Sequence, residues 1–177
     1  MIFKWFRNRA LKKLAAENAY HQKYQGFAAS QKIGIFLDGL AGQEAAAALF
    51  RKHFTEEEKK EITILSYLPV KSKEVAQDYP YYRLAKNNKN WWGVPNSEGM
   101  LKFVEQDYDL VFDFTQLNLE AHHFVRAQLK CAFYVAFGKN ASDAADLKID
   151  VNPAQNTASA LSQCLKYLKL INSTKNG

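Results

Sequence analysis

Residues 105–138, EQDYDLVFDFTQLNLEAHHFVRAQLKCAFYVAFG, read as a strand, a loop, a helix and a second strand. Tyr108–Phe114 is an almost continuous apolar run, the pattern of a strand covered on both faces. Leu119–Leu129 carries helix-forming residues, and Cys131–Phe137 resumes the apolar run. Strand, crossover helix and strand make the unit of a parallel sheet. Two acids, Asp109 and Asp113, interrupt the first strand. A carboxylate closing a buried strand either caps the turn that follows or faces a ligand. The residue types alone fit both readings.

The same pattern recurs on either side. Lys32–Asp38 (KIGIFLD), closed by Gly39, is a first buried strand, and Gln43–Phe54 follows as an Ala-rich helix. Ile62–Leu68 (ITILSYL), ended by Pro69, is a second strand, and a short edge strand is expected near Tyr81–Leu84. Asn96 or Ser97 can cap a helix reaching Gln106, with Glu98 in its first turn. Leu147–Val151 (LKIDV) is a last strand before Pro153, and a closing helix runs from Ala154 to Leu170. The expected fold is a three-layer, Rossmann-like α/β domain over residues 32–171, with a mostly parallel sheet of five to six strands. Residues 1–31 form an extra N-terminal helix and connector, and residues 172–177 a frayed tail.

A chain of 177 residues suits one domain, and 47% hydrophobic with 24% charged residues is an ordinary globular balance. No run approaches the roughly 18 apolar residues that span a bilayer. The opening MIFKWFRNRALKK lacks the uninterrupted apolar stretch of a signal peptide. Cys131 and Cys164 show no metal spacing and read as reduced, buried thiols. The expected location is the cytoplasm.

Charge separates the two parts of the chain. Residues 1–32 hold seven basic groups and one acid (Glu17), which accounts for the whole net charge of +6. The remainder balances, so a broad nucleic-acid-binding face is not expected. Ile2, Phe3, Phe6, Ala10 and Leu14 share one helical face, beside Lys4, Arg7, Arg9, Lys12 and Lys13. Phe3, Lys4, Trp5, Phe6, Arg7, Lys12 and Lys13 are therefore candidates for contact. The target is the chain's own domain, a second copy in a homodimer, another protein, or an anionic membrane at its inner surface.

In open α/β sheets ligands bind beyond the carboxyl ends of the strands, where strand order reverses. With the order 3-2-1-4-5-6, that crevice lies between the strands ending at Asp38 and Asp113. The candidate ligand-binding residues are Asp38, Gly39, Asp113, Thr115, Asn118, Lys139 and Asn140. The first βα turn, DGLAGQ, lacks the glycine spacing of either phosphate-binding motif, and Gly39 and Gly42 suit turn geometry. His122 and His123 point about 100° apart on a helix and read as helix-surface polar groups. Glu120 and His123 could chelate at i, i+3, but a third metal ligand is missing. No catalytic residue, metal or cofactor is assigned. The aromatic groups from Tyr79 to Trp92, with Arg83, Lys86 and Lys89 between them, suit either a base-stacking surface or a cover over the core.

Two resemblances rest on these residues. The basic N-terminal helix, the KIGIFLD strand, the W-x-G loop (Trp91 to Gly93) and the DLVFD strand together resemble a family of short uncharacterised proteins from Bacteroidetes, a domain of unknown function. Tyr108–Gly138 is also similar to part of the N-terminal domain of family 9 glycosyltransferases, the heptosyltransferase group. That likeness implies an acceptor-side α/β domain. Those enzymes hold their nucleotide-sugar donor with a C-terminal domain that this chain has no length to contain. Their acceptor-side acid follows a glycine, whereas Asp38 precedes Gly39. The sequence thus favours a non-catalytic α/β domain acting through a protein partner or a membrane surface. The alternative is a small enzyme, or a sugar-phosphate or nucleotide binder, working in the Asp38/Asp113 crevice.

Overall fold

The computed structural model describes residues 9, 11–12, 24–69, 81–90, 94–117, 119–139 and 144–173. The expected contact residues Phe3, Lys4, Trp5, Phe6, Arg7 and Lys13 lie outside the described residues, as do Trp91, Trp92, Asn118 and Asn140; Lys12 is helical and exposed.

The continuous apolar runs all become strands of one parallel sheet. β1 (Lys32–Leu37) lies between β2 (Glu61–Leu68) and β5 (Leu110–Asp113). β3 (Tyr81–Ala85) extends the sheet beyond β2. On the other side β7 (Tyr134–Phe137) and β8 (Leu147–Ile149) follow β5. The order is β3-β2-β1-β5-β7-β8, so strand order reverses between β1 and β5 as expected.

Among the described residues, the helices that cover the sheet are α1 (Ala41–Lys52), α2 (Glu98–Val104), α3 (Glu120–Gln128) and α4 (Thr157–Ser173). Alternation along the strands decides which side chain meets which layer. Ile33, Ile35 and Leu37 of β1 share a core with Phe50 of α1 and Cys164 and Leu168 of α4. Phe36 joins the opposite core, with Met100 and Phe103 of α2 and Val125 of α3. Gly34 faces that same side, where an added Cβ would stand 3.2 Å from both Tyr108 and Val111. Asp38 follows Phe36, and Asp113 follows Val111, at intervals of two. The pleat therefore sends both acids to the α2/α3 side.

The structure differs from the sequence reading in four places. α1 starts at Ala41 and runs into a π-helical turn, His53–Glu57, that carries Phe54 into the core with 0% exposure. Lys60, just beyond it, is buried and donates from Nζ to the carbonyls of Phe27 (2.9 Å) and Ser30 (2.6 Å). The expected strand Tyr108–Phe114 is divided, because Asp109 turns its carboxylate back to the start of β1. Its Oδ2 accepts from the backbone N–H groups of Gln31 (2.7 Å) and Lys32 (2.9 Å). The segments either side of that break, and of the one at Ala132–Phe133, pair separately. β4 (Asp107–Tyr108) and β6 (Lys130–Cys131) form a second, two-stranded parallel sheet. Finally, Ala154 lies in a turn before α4, which continues to Ser173 past the expected onset of the tail. Ser97 is the cap of α2, its Oγ accepting from Met100 N at 3.2 Å.

Candidate functional site

At the switch between β1 and β5 the two strand-end acids have exposures of 0% (Asp38) and 1% (Asp113). Each is surrounded by donors from its own chain. Asp38 Oδ2 accepts from the backbone N–H of Gln116 (2.6 Å) and Leu117 (3.1 Å), and from Gln43 Nε2 (3.3 Å). Gln43 returns the bond by accepting from Asp38 N at 2.6 Å, and its amide also reaches Phe114 O at 3.0 Å. One side chain of α1 thus ties the end of β1 to the end of β5.

Asp113 is held by four donors. Its Oδ1 accepts from Thr115 N (2.8 Å) and Thr115 Oγ1 (2.6 Å), the local turn expected of an acid at a strand end. Its Oδ2 accepts from Arg126 Nε at 2.7 Å and from the Tyr134 hydroxyl. Arg126 also donates from Nη2 to Thr115 Oγ1 at 2.6 Å. Burial works against the charge of Arg126, but the Asp113 carboxylate and the Tyr134 phenol together outweigh it, so the guanidinium pKa is raised.

The side chain that closes the crevice is Gln116. Its Nε2 donates to Phe137 O at 2.9 Å and reaches Phe114 O at 3.2 Å, bridging the carboxyl ends of β7 and β5. It lies over Gly138, whose φ is +86°, and a Cβ there would come within 2.3 Å of Gln116 Oε1. Gly39, with φ +66°, has a matching role on β1, where a Cβ would stand 2.7 Å from Tyr67 O. Gly42 serves a different end, packing closely on Ala154.

His122 corrects its surface assignment, since it is fully buried. His123, its neighbour, is exposed. The ring of His122 lies edge-on to Phe36 and Tyr67. Nδ1 contacts the carbonyl of Leu117, while Nε2 stands 3.1 Å from Asp38 Oδ1 without the alignment of a hydrogen bond. Burial pushes the imidazole pKa down, against the opposing pull of the Asp38 charge and the Leu117 carbonyl. Asp38 and His122 resemble an acid–base dyad, but neither is exposed to solvent, and a general base must reach the proton it takes.

Of the expected ligand residues, the structure brings Asp38, Asp113 and Thr115 together in a packed polar layer. Gly39 is half-buried and Lys139 is exposed. Gln43, Gln116, His122, Arg126 and Tyr134 complete the layer, and none of the five was among the ligand residues expected from the sequence. A signal existed for one of them: His122, Val125 and Leu129 recur at i, i+3 and i+7, which sets His122 on the buried stripe of α3. Among the described residues no group of three potential ligands is placed to hold a metal. Nor, among them, is any helix long and apolar enough to cross a membrane.

No curated protein and no solved structure matches the chain, so neither comparison returned a glycosyltransferase. A family model does match, over residues 4–171, which includes both the basic N-terminal segment and the whole sheet. The chain belongs to that family, DUF6913, a family of unknown function.

Proposed function

We propose that this protein is a non-catalytic α/β domain that acts by contact, through a protein partner or an anionic membrane surface, with residues 1–31 making the contact. The observation that carries this reading is the condition of the two strand-end acids. Both are buried and bonded to their own chain at the place where a doubly wound sheet binds ligands. A small enzyme, or a sugar-phosphate binder of the acceptor-side glycosyltransferase type, would need those carboxylates at a surface. The charge distribution adds support, since residues 1–32 carry the entire net charge of +6. Basic side chains beside Phe3, Trp5 and Phe6 suit an anionic interface, where each basic group contributes about 1 kcal/mol. Such a protein would work in the cytoplasm, peripherally at the inner membrane surface.

Removal of residues 1–25 tests the reading. The expected outcome is a folded, monodisperse domain that no longer co-sediments with anionic vesicles at low salt, whereas the full chain does. A full chain that ignores those vesicles ends the membrane version. A truncated chain that loses stability or changes oligomeric state shows instead that the segment docks on its own domain or on a second copy.

A further inference from the structure

The carboxyl ends of β2 and β3 border a cavity of about 360 Å³, on the same rim of the sheet as the closed crevice. Tyr67, Leu84 and Pro95 give it apolar walls. The rest of its lining comes from two elements, the loop after β3 with Lys86 and Lys89, and the first turn of α3 (Leu119, Glu120, Ala121). Both lysines are exposed, and among the described residues neither forms an ion pair. The N-cap of α3 is Leu119, which offers no capping side chain, so the positive end of that helix borders the cavity.

Both of these elements are braced from behind. In the loop, Asn88 Oδ1 accepts from Ala85 N at 2.8 Å, Asn90 Oδ1 accepts from Val94 N at 3.0 Å, and Lys89 bridges to Pro95. That accounts for the polar KNNKN run between apolar segments. At α3, Asp38 takes the N–H groups of Gln116 and Leu117, and His122 contacts the Leu117 carbonyl. The buried pair therefore fixes the approach to the helix that borders the cavity. The volume falls within the roughly 300–1,000 Å³ of small-molecule sites, and apolar walls with a few polar groups are their usual lining.

We propose that this cavity binds a small organic phosphate. The phosphate sits between Lys86 and Lys89 at the start of α3, and the organic body packs on Tyr67, Leu84 and Pro95. Two unpaired point charges and a helix N-terminus suit a doubly charged phosphate. The assignment is independent of the N-terminal contact, because it uses none of residues 1–31.

The test is NMR titration of the full-length protein at low salt with AMP, ribose 5-phosphate, adenosine and inorganic phosphate. AMP or ribose 5-phosphate is expected to shift the amide resonances of Lys86–Lys89 and Glu120–Ala121. The double variant K86E/K89E, altered only at exposed positions, is expected to keep the wild-type Tm and lose at least tenfold in affinity. Adenosine is expected to bind at least tenfold more weakly than AMP. The proposal is overturned if neither ester shifts those resonances at millimolar concentration, or if K86E/K89E binds as tightly as the wild type. Inorganic phosphate binding as tightly as both esters would overturn the organic part of the assignment.

Discussion

Asp38 and Asp113 end neighbouring strands, face the same helical layer and are equally hidden, yet their charges are met differently. Asp113 has a guanidinium, a phenol and a hydroxyl around it, and Arg126 supplies a full opposite charge. Asp38 has only neutral donors on Oδ2, while Oδ1 faces an imidazole nitrogen that is itself without a hydrogen bond. Burial alone therefore does not define a buried carboxylate's role. Asp113 depends on its partner's charge, whereas Asp38 serves mainly as an acceptor for the backbone of a loop.

The largest effect should come from breaking the charged member of this comparison. Arg126→Met leaves Asp113 buried without its counter-charge and should cost about 3–5 kcal/mol, read by urea denaturation. Adding Asp113→Asn to that variant should recover part of the loss. If Arg126→Met costs under about 1 kcal/mol, Asp113 is not held as an ion pair.

A pH series sharpens the other member. Burial places the folded-state pKa of His122 below its unfolded value of about 6.5, with Asp38, Asp113 and Arg126 the charges around it. The unfolded chain then binds the proton more readily. This contribution to stability is complete above that unfolded value and is lost as pH falls through it toward the folded pKa. Replacing His122 by Gln should flatten the stability profile between about pH 7 and pH 5. A profile unchanged by the substitution would show that His122 does not titrate differently on folding.

Asp109, two turns of the pleat before Asp113, supplies a solvent-side reference. It accepts two N–H groups in an exposed setting, so Asp109→Ala should cost only about 1 kcal/mol. Asp38→Asn should be smaller still, within about 1 kcal/mol of wild type. The amide oxygen can keep the three donors on Oδ2, and the amide nitrogen can donate to His122 Nε2. A loss of several kcal/mol there would mean that the carboxylate charge itself is required, and the contrast with Asp113 would fall.

The sheet was legible because parallel strands covered on both faces leave continuous apolar runs, and Ile33–Leu37, Ile62–Tyr67 and Leu110–Phe112 are such runs. The switch of strand order between β1 and β5, with Asp38 and Asp113 at its edge, was legible from the chain's alternation of strands and helices. What filled that place was not. Gln43 meets Phe114 and Gln116 meets Phe137 across 71 and 21 residues, and periodicity reports a face but never the partner opposite. The break at Ala132–Phe133 was hidden for a related reason. Apolar character continues through it, while the pairing partner changes from β4 to β5.

The central position of β1 has a consequence for the chain as it is made. One neighbour, β2, follows within a short crossover, but the other, β5, begins only at Leu110. Until then the IGIFL segment exposes an unpaired apolar edge, and closing so long a loop is entropically slow. During synthesis the early chain is thus expected to be prone to wrong strand pairing, so that productive assembly waits on the arrival of the DLVFD segment.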